Sequence, residues 1–205
     1  MHPRSNFTLR RSRLIANLTT DSIKPFALNN LGTVWRTTGE HEKAIDAHTR
    51  ALTIARVLGD RIGQAIALNE LGAAYKVIEN YSAAANAHAE ALDLYNILGQ
   101  RLGMAETLNH KAELLRASGK PLQARAQYRL ALDISRDILT PLEEARSLEG
   151  AGRCAADLGQ RDIALTDFRQ ALAIYSCIGA AEQYTIANQI VVSSQGEGEP
   201  QAGST

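Results

Sequence analysis

Histidine and cysteine are the side chains in this 205-residue sequence best suited to catalysis, metal binding or redox work. Cys154 and Cys177 match no zinc spacing and cannot build a disulfide framework, so both read as small buried thiols of a reducing compartment. His48 and His88 stand 40 residues apart and must face the same way if the chain repeats with that period. As functional groups they would be ligands or a pH switch. As packing groups they occupy the aromatic column that Tyr128 and Phe168 fill 40 and 80 residues after His88. The repeat favours packing. Glycine-rich phosphate loops, His-Glu-x-x-His, Gly-x-Ser-x-Gly and repeated Cys-x-x-Cys are missing. No site constellation for an enzyme remains, and no cofactor or metal is expected.

The elements that would position any other chemistry are helices. The sequence holds 33 Ala and 25 Leu but only 5 Val, which favours helix and removes much of the usual strand material. Its organisation is a repeat of 40 residues. Leu28, Leu68, Leu108 and Leu148 share one column, and Ala44, Ala84, Ala124 and Ala164 another. Ala51, Ala91, Ala131 and Ala171 share a third, each followed at once by Leu. Apolar steps of 3 and 4 run through Leu28, Leu31 and Trp35, and again through Ala44, His48, Ala51 and Ala55. Gly39, Gly119 and Gly159 break the pattern inside a repeat, and Gly59, Gly99 and Gly179 near its end. Each repeat therefore reads as two antiparallel helices of about 17 residues. The column Gly32, Gly72, Ala112 and Gly152 places a small side chain at the helix crossing. Thr140-Pro141-Leu142-Glu143 reads as a capping box with proline at the first helical position.

These residues carry a family resemblance. Leu31-Gly32-Trp35-Ala44-His48-Ala51 and Leu71-Gly72-Tyr75-Ala84-His88-Ala91 resemble the tetratricopeptide repeat, as do Ala112-Leu115-Ala124-Tyr128-Ala131 and Gly152-Ala155-Ala164-Phe168-Ala171. The period of 40 departs from the commoner 34, and Leu replaces the usual leading Trp. The long period is similar to kinesin light chains, spindle-orientation adaptors, Rap-type peptide receptors, and C-terminal arrays of actinobacterial transcriptional regulators and STAND NTPases. The resemblance implies an all-α, right-handed superhelix: four repeats over 27–66, 67–106, 107–146 and 147–186, then a capping helix to 192.

The same resemblance directs attention to the first helices, which line the concave groove of such arrays. It assigns the groove positions to Asn29, Thr33 and Arg36, to Asn69, Ala73 and Lys76, and to Asn109, Glu113 and Arg116. Steps of 4 and 3 set each trio on one stripe. Asparagine offers both a donor and an acceptor to a ligand main chain, and Arg or Lys can hold an acidic group. Equally, the asparagines can bond neighbouring helices and the cations can simply be solvated. Glu149, Arg153 and Ala156 break both ladders in the fourth repeat, so a ligand is expected over the first three. The expected partner is a segment of another protein, acidic in character, bound by a non-enzymatic scaffold. The alternative is a sensor or effector-docking region of a transcriptional regulator or STAND NTPase.

Charge narrows the partners further. With 22 basic and 22 acidic residues the chain has no net charge, which argues against direct nucleic-acid binding and against a polybasic membrane surface. No apolar run approaches a membrane span or a signal peptide, so the expected location is cytoplasmic. The balance conceals a basic start. Residues 1–26 hold Arg4, Arg10, Arg11, Arg13 and Lys24 against Asp21, and the acid-free stretch 1–20 also resembles a mitochondrial transit peptide. Leu14, Ile15 and Leu18 suit a short helix over the first repeat. Residues 193–205, rich in Gly, Ser, Gln and Glu, read as a disordered tail.

Overall fold

A computed structural model of the chain describes residues 25–180. The basic start, the capping helix to 192 and the tail from 193 lie outside them. Eight helices follow in order: α1 Pro25–Thr37, α2 His41–Leu58, α3 Arg61–Val77, α4 Tyr81–Ile97, α5 Arg101–Ala117, α6 Pro121–Asp137, α7 Pro141–Asp157 and α8 Arg161–Ile178. There is no strand among the described residues. The all-helical pairing expected from the columns is what forms. The first helix of each later pair starts at 61, 101 or 141, so boundaries at 67, 107 and 147 fall inside it. The identical columns mark a helix interior rather than its start.

Turns recur every twenty residues. Each helix ends beside one residue in the left-handed region: Gly39, Gly59, Glu79, Gly99, Gly119, Leu139, Gly159 or Gly179, with φ from 55° to 87°. Such a residue reverses the chain and lets its amide close onto the last carbonyls. Gly59 does so with its N–H directed to Ala55 and Arg56. Glu79 and Leu139 occupy the same place without glycine's freedom, at a cost of about 1–2 kcal/mol each.

Helix starts are less uniform. Asp60 accepts the Gly63 amide at 2.9 Å, and Asn80 that of Ala83 at 3.2 Å. The capping box expected at Thr140 does not form. Pro141 does begin α7, but the Thr140 side chain caps nothing and donates instead to the Ser135 carbonyl at 3.3 Å. Glu143 is drawn inward to other partners, described below, so it cannot reach back to the cap.

The described residues form two compact units divided between Gln100 and Arg101. In each unit, consecutive helices pack in antiparallel sequence. The N-terminal unit holds α1–α4 and the C-terminal unit α5–α8. Within a unit the two first helices also meet, α1 against α3 and α5 against α7, more closely than the two second helices do. Each unit therefore bends toward its first-helix side. The alanine columns explain the close approach: Ala44, Ala51, Ala84, Ala91, Ala124, Ala131 and Ala171 are fully buried and Ala164 nearly so. Leu28, Leu68, Leu108 and Leu148 fill the space between them.

Candidate binding face on the first helices

The groove positions separate by depth. Asn29, Asn69 and Asn109 are buried, with at most 7% of their surface exposed. Thr33, Arg36, Lys76 and Arg116 are half-buried, and Glu113 is exposed. Ala73 is buried. No one surface therefore gathers all nine.

In the N-terminal unit each asparagine serves a histidine. Asn29 Oδ1 lies 3.1 Å from His48 Nδ1, and Asn69 Oδ1 lies 3.2 Å from His88 Nδ1. An amide oxygen only accepts, so each imidazole donates from Nδ1. The ring of His48 lies flat on Gly32, where a Cβ would stand 2.6 Å from its Cε1. Gly72 is covered by His88 in the same way. The small-residue column is thus the seat of the aromatic column. His48 Nε2 is buried with no hydrogen-bond partner among the described residues. Burial first, then the Arg36 charge, hold the His48 pKa down to about 4.

Above this layer, Glu70 of α3 faces α1. Its carboxylate accepts the Thr33 hydroxyl at 3.1 Å and lies 3.6 Å from the Arg36 guanidinium. The Arg36 Nε is buried without a bond among the described residues. Among the described residues Arg36 is therefore held by one longer ion pair.

The C-terminal unit uses its asparagine differently. Asn109 Nδ2 donates to Glu143 at 3.0 Å, and its Oδ1 accepts the Ser147 hydroxyl at 2.8 Å. Glu143, nearly buried, also accepts from Arg146 at 2.6 Å. In the fourth repeat Glu149 stands where asparagine stood. Phe168 offers it no partner, so it accepts from the Tyr175 hydroxyl at 2.9 Å and from Arg153 at 2.7 Å. Buried Asp167 takes Arg129 through both oxygens at 2.9 Å. Arg116 donates twice to Asp157, at 2.6 and 3.1 Å, which raises its pKa further.

Sequence reasoning did not single out Glu70, Ser147 or Asp157, and it read Glu143 only as part of a capping box. The signal available was the change of aromatic column from His to Tyr and Phe, which alters what the asparagine column must satisfy. Cys154 is buried and its thiol is pushed up to about 11 by desolvation. Cys177, expected to be buried, is exposed. Tyr175 takes the inward position two residues earlier, which turns Cys177 to the opposite side of α8. No group of three or more His, Cys, Asp or Glu side chains able to hold a metal occurs among the described residues. No described helix is long and apolar enough to cross a membrane.

A family model for the tetratricopeptide repeat matches residues 25–97 and 103–176, most of the described chain. The chain belongs to the tetratricopeptide repeat family. Solved structures of the same fold include a Rap protein complexed with competence and sporulation factor. The two share 19% identity and a TM-score of 0.68 over 84% of this chain and 54% of that one. They also include the apo form of RapI, at 17% identity and a TM-score of 0.70 over 90% of this chain and 53% of that one. This tetratricopeptide repeat chain therefore spans about half the length of those proteins. At these identities the likeness speaks for the fold alone. A search of curated proteins found no match.

Proposed function

We propose that the protein is a non-enzymatic scaffold whose first-helix face binds a segment of another protein. The observation that carries this reading is the division of labour along the first helices of each unit. The asparagines are committed to the frame, while Thr33, Arg36 and Lys76 in one unit, and Glu113 and Arg116 in the other, stay at the surface above it. Arg36 in particular keeps donors that the 3.6 Å ion pair to Glu70, its one pair among the described residues, does not use. A Rap protein of this fold was solved with competence and sporulation factor bound, which supports a ligand-holding role by analogy of fold.

The test begins with peptides selected by display against the purified protein. Affinity is then measured for the wild type, for Arg36→Ala on the first-helix face, and for Arg50→Ala on the exposed side of α2. Arg36→Ala should weaken binding about tenfold and Arg50→Ala should leave it unchanged. Equal effects from both, or none from either, remove the proposed face.

A second reading is a sensor or effector-docking region of a larger regulator, supported by that same bound factor. A sensor has to change on binding. Hydrogen exchange with a selected peptide should then alter protection beyond the residues that the peptide touches. Protection changed only at the contact site leaves the scaffold reading alone.

A further inference from the structure

The aromatic column contains one hydroxyl that the fold leaves unused. His48 and His88 are tied to asparagines, and Phe168 has nothing to offer. Tyr128 stands in the same column, but its natural partner Asn109 is taken by Glu143 and Ser147. Tyr128 is 94% buried, with 6% of its surface exposed, packed among Ala112 of α5 and Ala151 and Cys154 of α7. Its ring passes under both first helices, so that the Cζ carrying the hydroxyl rests against Gly150, where any Cβ would collide with it. The hydroxyl has no hydrogen-bond partner among the described residues, and it is not one of the wholly enclosed unpaired atoms. It therefore keeps some access to solvent. The charges that act on it are Glu113 and Arg116 of α5 and Arg153 of α7, the side chains of the first-helix face.

We propose that Tyr128 is the floor of a binding point in the C-terminal unit, where its hydroxyl donates to an uncharged amide carbonyl of the bound segment. This rests on the scaffold reading and specifies what that face takes. The two guanidiniums beside the hydroxyl argue against a carboxylate ligand. Arg116 is matched by Asp157 through two bonds, and Arg153 by Glu149 through two more. A ligand carboxylate would have to displace one of those anions or sit beside it. An amide carbonyl needs only the one donor that is vacant, and its dipole costs less to bring into this site than a charge does. Desolvation raises the Tyr128 pKa, so the hydroxyl keeps its proton at neutral pH. Main-chain amides and Asn or Gln side chains share this chemistry.

The experiment uses the whole protein with its tyrosine rings isotopically labelled. It is titrated with acetyl-Gly-Ser-X-Ser-Gly-amide in which X is Ala, Gln or Glu. The Tyr128 resonance is assigned from its loss in Tyr128→Phe, which removes no bond of the fold and should melt like the wild type. We expect saturable shifts of Tyr128 with the uncharged peptides, and roughly three- to tenfold weaker binding of them by Tyr128→Phe. Equal affinity for Ala and Gln assigns the main chain, and preference for Gln assigns the side-chain amide. Tightest binding of the Glu peptide overturns the proposal. So does unchanged affinity in Tyr128→Phe, or a tyrosine that responds to none of the three and is only solvated. A display-selected peptide that weakens on Arg36→Ala but ignores Tyr128→Phe keeps the scaffold reading and removes this binding point.

Discussion

Equivalent columns of the repeat carry Asn29–His48 and Asn69–His88 in the N-terminal unit, but Asn109–Tyr128 and Glu149–Phe168 in the C-terminal unit. The backbone answers are the same, helix for helix. The polar answers are not. In the N-terminal unit the buried polar groups of these columns are amide and imidazole, paired within one helix hairpin, and His48 is held neutral by burial. In the C-terminal unit the interior holds the carboxylates of Glu143 and Asp167, each met by an arginine that reaches in from the surface. A neutral pair is sensitive to gaining a proton, whereas a charged pair is sensitive to losing its partner. The two halves of one array should therefore fail under different conditions.

Acid should separate them most. His48 titrates near 6.5 when unfolded and near 4 when folded. As pH falls below 6.5 the unfolded chain takes up the proton first, so stability declines through that window and levels off below about 4. The loss from this one group is about 3 kcal/mol. Hydrogen exchange followed from neutral pH downward should show α1 and α2 opening first, and His48→Phe should flatten that slope. Simultaneous opening of both units would erase the contrast.

Removal of a partner should strike the other unit. Glu143→Ala leaves the Asn109 amide without its acceptor and releases Arg146. A cost of about 2 kcal/mol is expected, less than a wholly buried ion pair because Arg146 is half exposed. Denaturant melts should report it, with exchange protection lost in α5 and α7. A variant as stable as wild type would mean that the carboxylate is a bystander. In the N-terminal unit, Asn29→Ala strands the His48 donor at roughly 1–2 kcal/mol. The double variant with His48→Phe should recover part of this loss, and additive losses would deny the pair.

The smallest effect runs in the stabilising direction and applies to both units. Leu139 has φ 55° and is largely exposed, and Glu79 has φ 59°. Leu139→Gly or Glu79→Gly should add about 0.5–1 kcal/mol, since glycine's extra unfolded-state freedom offsets part of the relief. A rise in melting temperature checks each one. A fall in either would show that the side chain contributes more than its backbone position costs.

Much of this was legible in the residues. The columns announced eight helices, and the glycines placed six of their ends correctly. The other two ends carry Glu and Leu, and only the twenty-residue spacing betrays them. The face of the first helices was legible as a stripe, but not its depth. Asn29 and Arg36 are seven positions apart and thus nearly in line along α1, within about 20° at 100° per residue. The short asparagine stays where the stripe meets the core and bonds there, while arginine's long stem carries its head to the surface. Position on a helix wheel cannot distinguish these outcomes.

What the sequence determined by itself is therefore periodic: helix lengths, turn positions, the small-against-large columns and membership of the repeat family. The helices and turns depend on contacts a few residues apart, and the columns on a spacing repeated four times, so local chemistry and period carry the information. Partner choice for the asparagines and for Arg116 depends on contacts 19 to 41 residues apart, across hairpins and between neighbouring first helices. Asn29 took His48, Asn109 took Glu143 and Ser147, and Tyr128 was left with an unclaimed hydroxyl. Only the packed structure decides such contests, because a buried polar group bonds whichever partner the neighbouring helix brings within about 3 Å.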